Sequence, residues 1–499
     1  MTPFLELADL AAARLGGTAL AANDEFFAEK ENLLKAEAPV FIPDKYTEHG
    51  KWMDGWESRR RRTPGHDWCI IRLGIPGVIR GVVVDTSFFT GNFPSHCSMD
   101  ACAAPEDASV ESLSAARWRE ILPKSELRGD SANPFEITAR ERWTHVRLNI
   151  YPDGGVARLR VHGEPVPDWR DILASTDIVN VSAVEHGGRA IDCSDRFYSH
   201  PQNLLMPYSA ANMGDGWETK RRRGPGHDWA ILRLGIESII HRVEVDTTHF
   251  KGNYPESCSL DAVVAASDPD ASAAWQEVLP RMPLGPHAKH VFDFELRPRV
   301  IGSYVRLNMF PDGGISRLRV FGTPTHAGLL AAGVTGLNAL HDEAAAAALA
   351  NCCGARKWVE QMTHARPFAG PADLFDRAER IWQSLPPADW REAFAHHPRI
   401  GERSRAAAQS AAAQRWSEQE QSTAQGASPD TLAALAEGNR AYEARFGHVF
   451  LVCATGRTSD EILEMLRRRL TNDPEAELRE AAAEQTKITR LRLEKLLLP

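Results

Sequence analysis

The chain carries one long passage twice, and this constrains its fold more than any other feature. Residues 54–75 read DGWESRRRRTPGHDWCIIRLGI and residues 215–236 read DGWETKRRRGPGHDWAILRLGI, an offset of 161 with 17 of 22 positions identical. The match continues from VVVDTSFFTGNFPSHCSMDA (82–101) to VEVDTTHFKGNYPESCSLDA (243–262). It resumes with VRLNIYPDGGVARLRVHG (146–163) against VRLNMFPDGGISRLRVFG (305–322), where the offset has slipped to 159. A weaker echo pairs 16–34 with 187–205. A period of about 160 residues is far above the roughly 20–50 of solenoid repeats. Each copy therefore has to bury a core of its own, as a duplicated domain.

The local pattern inside each copy is β. Val82-Val83-Val84 is a β-branched run, and Val243-Glu244-Val245 alternates as a half-buried strand does. Arg147–Ile150 and Arg158–Val161 alternate around Pro152-Asp153-Gly154-Gly155, whose turn chemistry predicts a hairpin. Helical periodicity is sparse before residue 325 and dominates after it. Helices are expected over 337–350, 372–385, 431–446 and 475–498, and in a further segment that Ser459 caps, with Pro371 placed to open the second of these. The fold class expected is two β-sandwich repeats of jelly-roll type, galactose-binding-like, followed by an all-α domain. The boundaries expected are 1–170, 171–326 and 333–499. An Ala/Gln/Ser stretch over 405–425 is of low complexity.

Composition narrows the class of partner. With 58 Lys plus Arg against 67 Asp plus Glu, the formal charge of -9 argues against a general nucleic-acid binder. No apolar run reaches the roughly 18–20 residues that span a bilayer. The first residues lack a basic-then-apolar order, so a cytoplasmic protein is expected. Eight cysteines without a CxxC pair read as buried thiols in a reducing compartment. Small-molecule substrates and a homo-oligomer are the partners expected.

The densest polar cluster in each copy is the arginine run with the PGHDW that follows. Guanidinium forks at Arg60, Arg62, Arg221 and Arg223 suit a planar carboxylate; a solvated basic loop is the plainer reading. His66 and His227 each precede an aspartate, Asp67 or Asp228, an arrangement that raises imidazole basicity if the two also meet in space. Asp153 and Asp312 in turns, and Asn92 and Asn253 after glycine, read as local turn bonding. Core positions drift between the copies (Ile71 to Leu232, Met99 to Leu260) while Arg, His, Asp and Trp stay fixed. That tilts the polar set toward a site.

The DGWExxRRR-x-PGHDW, DTxxFxGNxPxxCSxDA and RLNxxPDGGxxRLRVxG blocks resemble allantoicase over about 13–322, in both copies. The resemblance implies tandem jelly rolls and hydrolysis of allantoate to ureidoglycolate and urea in purine breakdown. Breaking the central C–N bond requires a proton for the departing urea nitrogen and a water at the carbon. His66 or His227 as acid and Asp67 or Asp228 as base or orienter is the assignment expected. No HxxxH pair is present, so neither a metal nor another cofactor is expected.

In the helical third, His397 precedes Pro398, which pushes it out of the α region and to the end of a helix. Ser417 with Glu420 has the spacing of a capping box, and Arg492, four residues after Ile488, borders an apolar face. With Leu337-Asn338, Arg366-Pro367-Phe368 and Phe446-Gly-x-x-Phe450-x-x-Cys-Ala, these residues resemble OHCU decarboxylase over about 334–498. That family converts 2-oxo-4-hydroxy-4-carboxy-5-ureidoimidazoline to (S)-allantoin without a cofactor. The resemblance implies His397 as proton donor with Glu420 tuning it. Pro398, Ser417, Gln421, Phe450, Val452, Ala454 and Arg492 would line the pocket. Arg356-Lys357-Trp358 departs from the family's usual Pro-Trp step. The expectation is thus one purine-catabolic chain with hydrolase and lyase activities. The rival is a tandem ligand-binding module for sugars attached to a single helical enzyme.

Overall fold

The computed structural model describes residues 3–270, 272–399, 416 and 428–499. It divides into two compact units, 1–328 and 329–499. Each repeat is an eight-stranded antiparallel sheet folded over one long strand, Asp67–Asp85 in the first and Asp228–Asp246 in the second. Burial along Asp67–Asp85 alternates nearly residue by residue, as expected of a strand with one face to the core.

The long strand serves two layers. Its first half pairs with Thr18–Ala22 and Arg142–Tyr151, its second with Arg158–Pro165 and Ala132–Glu136. The bend between them falls at Gly74 to Gly77. A Cβ on Gly74 would meet the Leu15 carbonyl oxygen at 2.4 Å, so this close crossing requires glycine. Leu33, Trp56, Ile71, Val82, Met99, Val146, Leu148 and Leu159 fill the space enclosed. The second repeat repeats the scheme with Arg189–Cys193, Ile301–Phe310, Arg317–Pro324 and Lys289–Phe292.

The hairpin expected around Pro152–Gly155 is not formed. Arg142–Tyr151 and Arg158–Pro165 pair with opposite halves of the long strand, not with each other. The link between them pairs instead with the first repeated block, Gly155–Val156 against Trp56–Glu57. A turn signal specifies reversal but not the partner, and here the reversal crosses from one layer to the other.

The second unit is helical. Pro371 opens Pro371–Ser384, and a break after Asn338 divides the expected 337–350 helix into His326–Asn338 and Asp342–Ala350. Thr458, not Ser459, caps Ser459–Arg469: its hydroxyl accepts from Glu461 N while Glu461 reaches back to the Thr458 amide. Arg356–His364 and Pro387–Phe394 were not foreseen. Trp358, Trp382, Phe394, Leu374 and Leu493 form the core. No helix among the described residues is long and apolar enough to cross a membrane.

Candidate functional sites

In each repeat the three conserved blocks meet at one end of the sheet. Arg158 (2% exposed) donates through Nη2 to Asp54 Oδ2 at 2.7 Å and through Nη1 to the Asp54 carbonyl at 2.9 Å. This ties RLR to DGWE, and a buried guanidinium needs such a partner. Arg317 grips Asp215 in the same way. Gly155 N donates to Asn92 O at 2.8 Å, and Gly314 N to Asn253 O at 2.8 Å, tying PDGG to FxGN. Gly154 has φ +134° and lies so close that a Cβ would meet Asn92 O at 2.6 Å. Asn92 Nδ2 then donates to Glu57 Oε1 at 2.7 Å, and Asn253 Nδ2 to Glu218 Oε1 at 2.6 Å. The asparagines read from sequence as local turn formers thus bridge two blocks 35 residues apart.

The arginine runs resolve by alternation. Arg59 pairs with Asp24 at 2.7 Å and Arg61 with Asp67 at 2.6 Å, while Arg60 and Arg62, the residue after each, are exposed. Likewise Lys220 meets Asp195 and Arg222 meets Asp228, and Arg221 and Arg223 are exposed. An extended chain turns alternate residues to opposite sides, so alternate cations meet a carboxylate, although Arg59 and Lys220 stay largely exposed as they do so. Asp67 (1% exposed) also accepts from Asn23, and Asp228 (2% exposed) from Ser194. Both carboxylates thereby anchor the loop. His66 packs against the Tyr151 ring, centroids 4.8 Å apart, and His227 against Phe310 at 4.6 Å. His227 Nε2 lies 3.2 Å from Asn308 Oδ1, whose amide nitrogen is committed to Ser259 and Asp261. That makes Nε2 the protonated nitrogen. His66 and His227 are thus half-buried against their aromatic neighbours.

In the first repeat the convergent end opens into a cavity of about 400 Å³ lined by Phe27, Phe41, Lys51, Met53, Glu57, Phe88, Thr90, Asn92 and Asp130. None of the arginines expected to bind substrate, and neither His66 nor Asp67, is among its walls.

In the helical unit His397 follows Pro387–Phe394, its amide bonded to the Phe394 carbonyl at 3.0 Å. It lines a cavity of about 770 Å³ together with Cys353, Gly354, Thr363, His396 and Arg492. Arg492 is 4% exposed, so the charge expected at the edge of the apolar face turns inward. Burial first, and the Arg492 cation second, push the His397 imidazole down to about 3, against a polar contact with Gln485 that raises it. A Cβ on Gly354 would meet the His396 ring at 2.5 Å, so glycine is what lets that ring in. Pro398, expected to line the pocket, follows directly but is not among the cavity's walls. Phe450, Val452 and Ala454 pack into a second apolar cluster with Leu435, Tyr442 and Leu466 and are not among the cavity's walls. Ser417, Glu420 and Gln421 lie outside the described residues. No group of three or more His, Cys, Asp or Glu that could hold a metal occurs among the described residues.

A duplicated β unit with converging polar blocks, joined to a helical unit whose cavity holds His397 and Arg492, defines a multidomain enzyme with two sites. The allantoicase repeat model matches residues 8–166 and 179–325, and the OHCU decarboxylase model residues 338–494. The chain belongs to the allantoicase family and carries an OHCU decarboxylase domain in its last third. A probable allantoicase of Pseudomonas paraeruginosa is 50% identical over 327 residues, covering 64% of this chain and 97% of that one. Dictyostelium discoideum allantoicase is 47% identical over 324 residues, covering 63% and 86%. The crystal structure of Saccharomyces cerevisiae allantoicase aligns at TM-score 0.54 with 36% identity, covering 63% of this chain and 92% of that one. A crystal structure of OHCU decarboxylase in the presence of (S)-allantoin is 37% identical, covering 32% of this chain and 99% of that one at TM-score 0.27.

Proposed function

We propose that the twin β unit hydrolyses allantoate to ureidoglycolate and urea, and that the helical unit converts 2-oxo-4-hydroxy-4-carboxy-5-ureidoimidazoline to (S)-allantoin. What supports the first activity is the meeting of all three repeated blocks at one end of each repeat. The sugar-module rival is the weaker reading because what both copies share at that end is a carboxylate held by an amide, Glu57 with Asn92 and Glu218 with Asn253, whereas the phenylalanines Phe41 and Phe88 line the cavity of the first repeat alone. For the second, the supporting observation is that His397 and Arg492, 95 positions apart in the chain, share one cavity.

Losing carbon dioxide leaves an electron pair on a ring carbon, which a positioned acid then protonates from one face. His397 supplies that proton, and Arg492 holds the anionic oxygens of the substrate. Burial, and Arg492 after it, disfavour the imidazolium, and the negative charge of a bound substrate favours it, so the proton is loaded as the substrate binds. Glu420, Ser417 and Gln421 remain part of this proposal by resemblance alone.

Two assays test the reading. The full chain releases urea from allantoate. It also accelerates formation of (S)-allantoin from freshly generated substrate, and His397→Ala removes that acceleration. Wild-type rate and stereochemistry in His397→Ala would remove the imidazole from the mechanism.

A further inference from the structure

The end cavity of the first repeat is walled in part by an arm of chain that is much shorter in the copy. From Leu34 to Asp54 the first repeat uses 19 intervening residues, whereas from Leu205 to Asp215 the second uses 9. The ten additional residues include a two-stranded hairpin, Tyr46–Thr47 with Gly50–Lys51. Phe41, Lys51 and Met53 of this arm line the cavity together with Glu57 and Asn92. In the second repeat the short link runs differently: Asn253 Nδ2 lies 3.8 Å from Met213 Sδ, and His249 Nε2 lies 2.9 Å from the Ala210 carbonyl oxygen. The Glu–Asn pair is kept there without the arm.

The remaining walls are set with unusual backbone. Phe88 and Asp130 have φ of 67° and 49°, and Phe88 N donates to Asp130 Oδ1 at 2.7 Å. Their counterparts His249 and His287 have φ of 73° and 50° and the same contact, His249 N to His287 Nδ1 at 2.8 Å. Left-handed backbone at a phenylalanine is costly and concentrates at functional sites. The scaffold is therefore shared, and the side chains on it differ.

We propose that the end cavity of the first repeat is the ureido-acid site, with Glu57 as its proton carrier, Asn92 as the residue that positions Glu57, and Lys51 as the cation for the substrate carboxylate. The second repeat serves as scaffold. The assignment rests on the allantoate-hydrolysing reading of the twin unit. Glu57 is fixed from two sides: its amide donates to the Ala28 carbonyl, its own carbonyl accepts from Phe27 N and Ala28 N, and Asn92 holds Oε1. Oε2 has no hydrogen-bond donor among the described residues. Burial raises the Glu57 carboxyl, opposed by the Asn92 bond, which suits a group that begins the cycle protonated. Lys51 Nζ sits 4.4 Å from the Phe41 ring centroid, and Phe41 stacks on Phe88 at 5.7 Å.

The step balances on one carboxyl group. Protonated Glu57 gives its proton to one urea nitrogen as the bond from that nitrogen to the central carbon breaks, the nitrogen keeping the pair. Water oxygen forms the new bond to the carbon, and the Glu57 carboxylate takes a proton from that water. One water is consumed, urea and ureidoglycolate leave, and Glu57 returns to its starting form.

The test uses the full chain with Glu57→Gln, Glu218→Gln and Lys51→Ala, following urea release from allantoate, with the thermal denaturation midpoint of each variant as the folding control. Removing the proton carrier lowers kcat roughly 100-fold or more with little change in KM. Glu218→Gln stays near wild type, and Lys51→Ala raises KM with kcat preserved. Calorimetry with hydantoate, which has one ureido arm and a carboxylate, gives binding that Lys51→Ala weakens and Glu57→Gln retains. Urea release at the wild-type rate in Glu57→Gln overturns the site while leaving the reaction standing. Equal losses in Glu57→Gln and Glu218→Gln overturn the scaffold role of the second repeat. A wild-type chain that binds hydantoate through Lys51 but releases no urea supports the ureido-acid site and removes the proposed reaction.

Discussion

His397 and Arg492 share one cavity, and burial first, then the cation, makes the imidazole harder to charge. With the folded value near 3 and the ordinary value at 6.5, the unfolded chain binds a proton across that interval that the folded chain does not. Stability therefore rises with pH from about 3 to about 6.5 and is lost as pH falls through the same window. His397→Asn flattens that dependence, and acid unfolding followed by tryptophan fluorescence reads it. An unchanged slope would show that the imidazole titrates as it does in water. The aspartates behave differently. Asp67→Asn leaves Arg61 short of its carboxylate and costs about 1–3 kcal/mol, measured by urea denaturation. In the proposed arrangement it leaves urea release per folded molecule close to wild type.

At the level of elements, the crossing of Gly155–Val156 over Trp56–Glu57 is what places the glutamate. A Cβ on Gly155 would enter the Phe89 ring at 1.9 Å, and one on Gly314 the Phe250 ring at 2.0 Å. Gly155→Ala therefore destabilises the first repeat by about 1–3 kcal/mol through overpacking. Gly91→Ala, with nothing within 4 Å, stays within about 0.5 kcal/mol. Denaturation midpoints of the two variants check the contrast. Strand identity was legible in the sequence because burial alternates with period two, but strand pairing was not. The Pro152–Gly155 signal announced a reversal, and only tertiary packing decided that its flanks join different layers. Asn92 and Glu57 escaped notice for a related reason: asparagine after glycine has a sufficient local explanation, and their contact spans 35 positions. Arg356–His364 and Pro387–Phe394 were missed because neither has a side-chain cap bond, and both are under ten residues long.

For the molecule as a whole, the duplication and the change from β to α at about residue 325 were visible in the one-dimensional pattern. So were His397 and Arg492, whereas Cys353, Gly354 and Thr363, which line the same cavity, carried no signal in the sequence. The arm over 35–53 was hidden, since it exists only as a difference in length between two otherwise parallel stretches. The two units predict separable losses: His397→Ala abolishes accelerated (S)-allantoin formation and leaves urea release unchanged, and Glu57→Gln does the reverse. Paired assays on one preparation of each variant measure this, and a joint loss in either would mean that the activities depend on each other.

That arm lies outside the ladder of the long strand, tethered at Leu34 and at Asp54. Lineages can lengthen, trim or recolour such an appendage without unsettling the sandwich beneath it. Selection for a new acid, or retirement of an old one, would then be written mainly in this loop. Transplanting it onto the sister copy is the natural way to ask whether a dormant half can be woken.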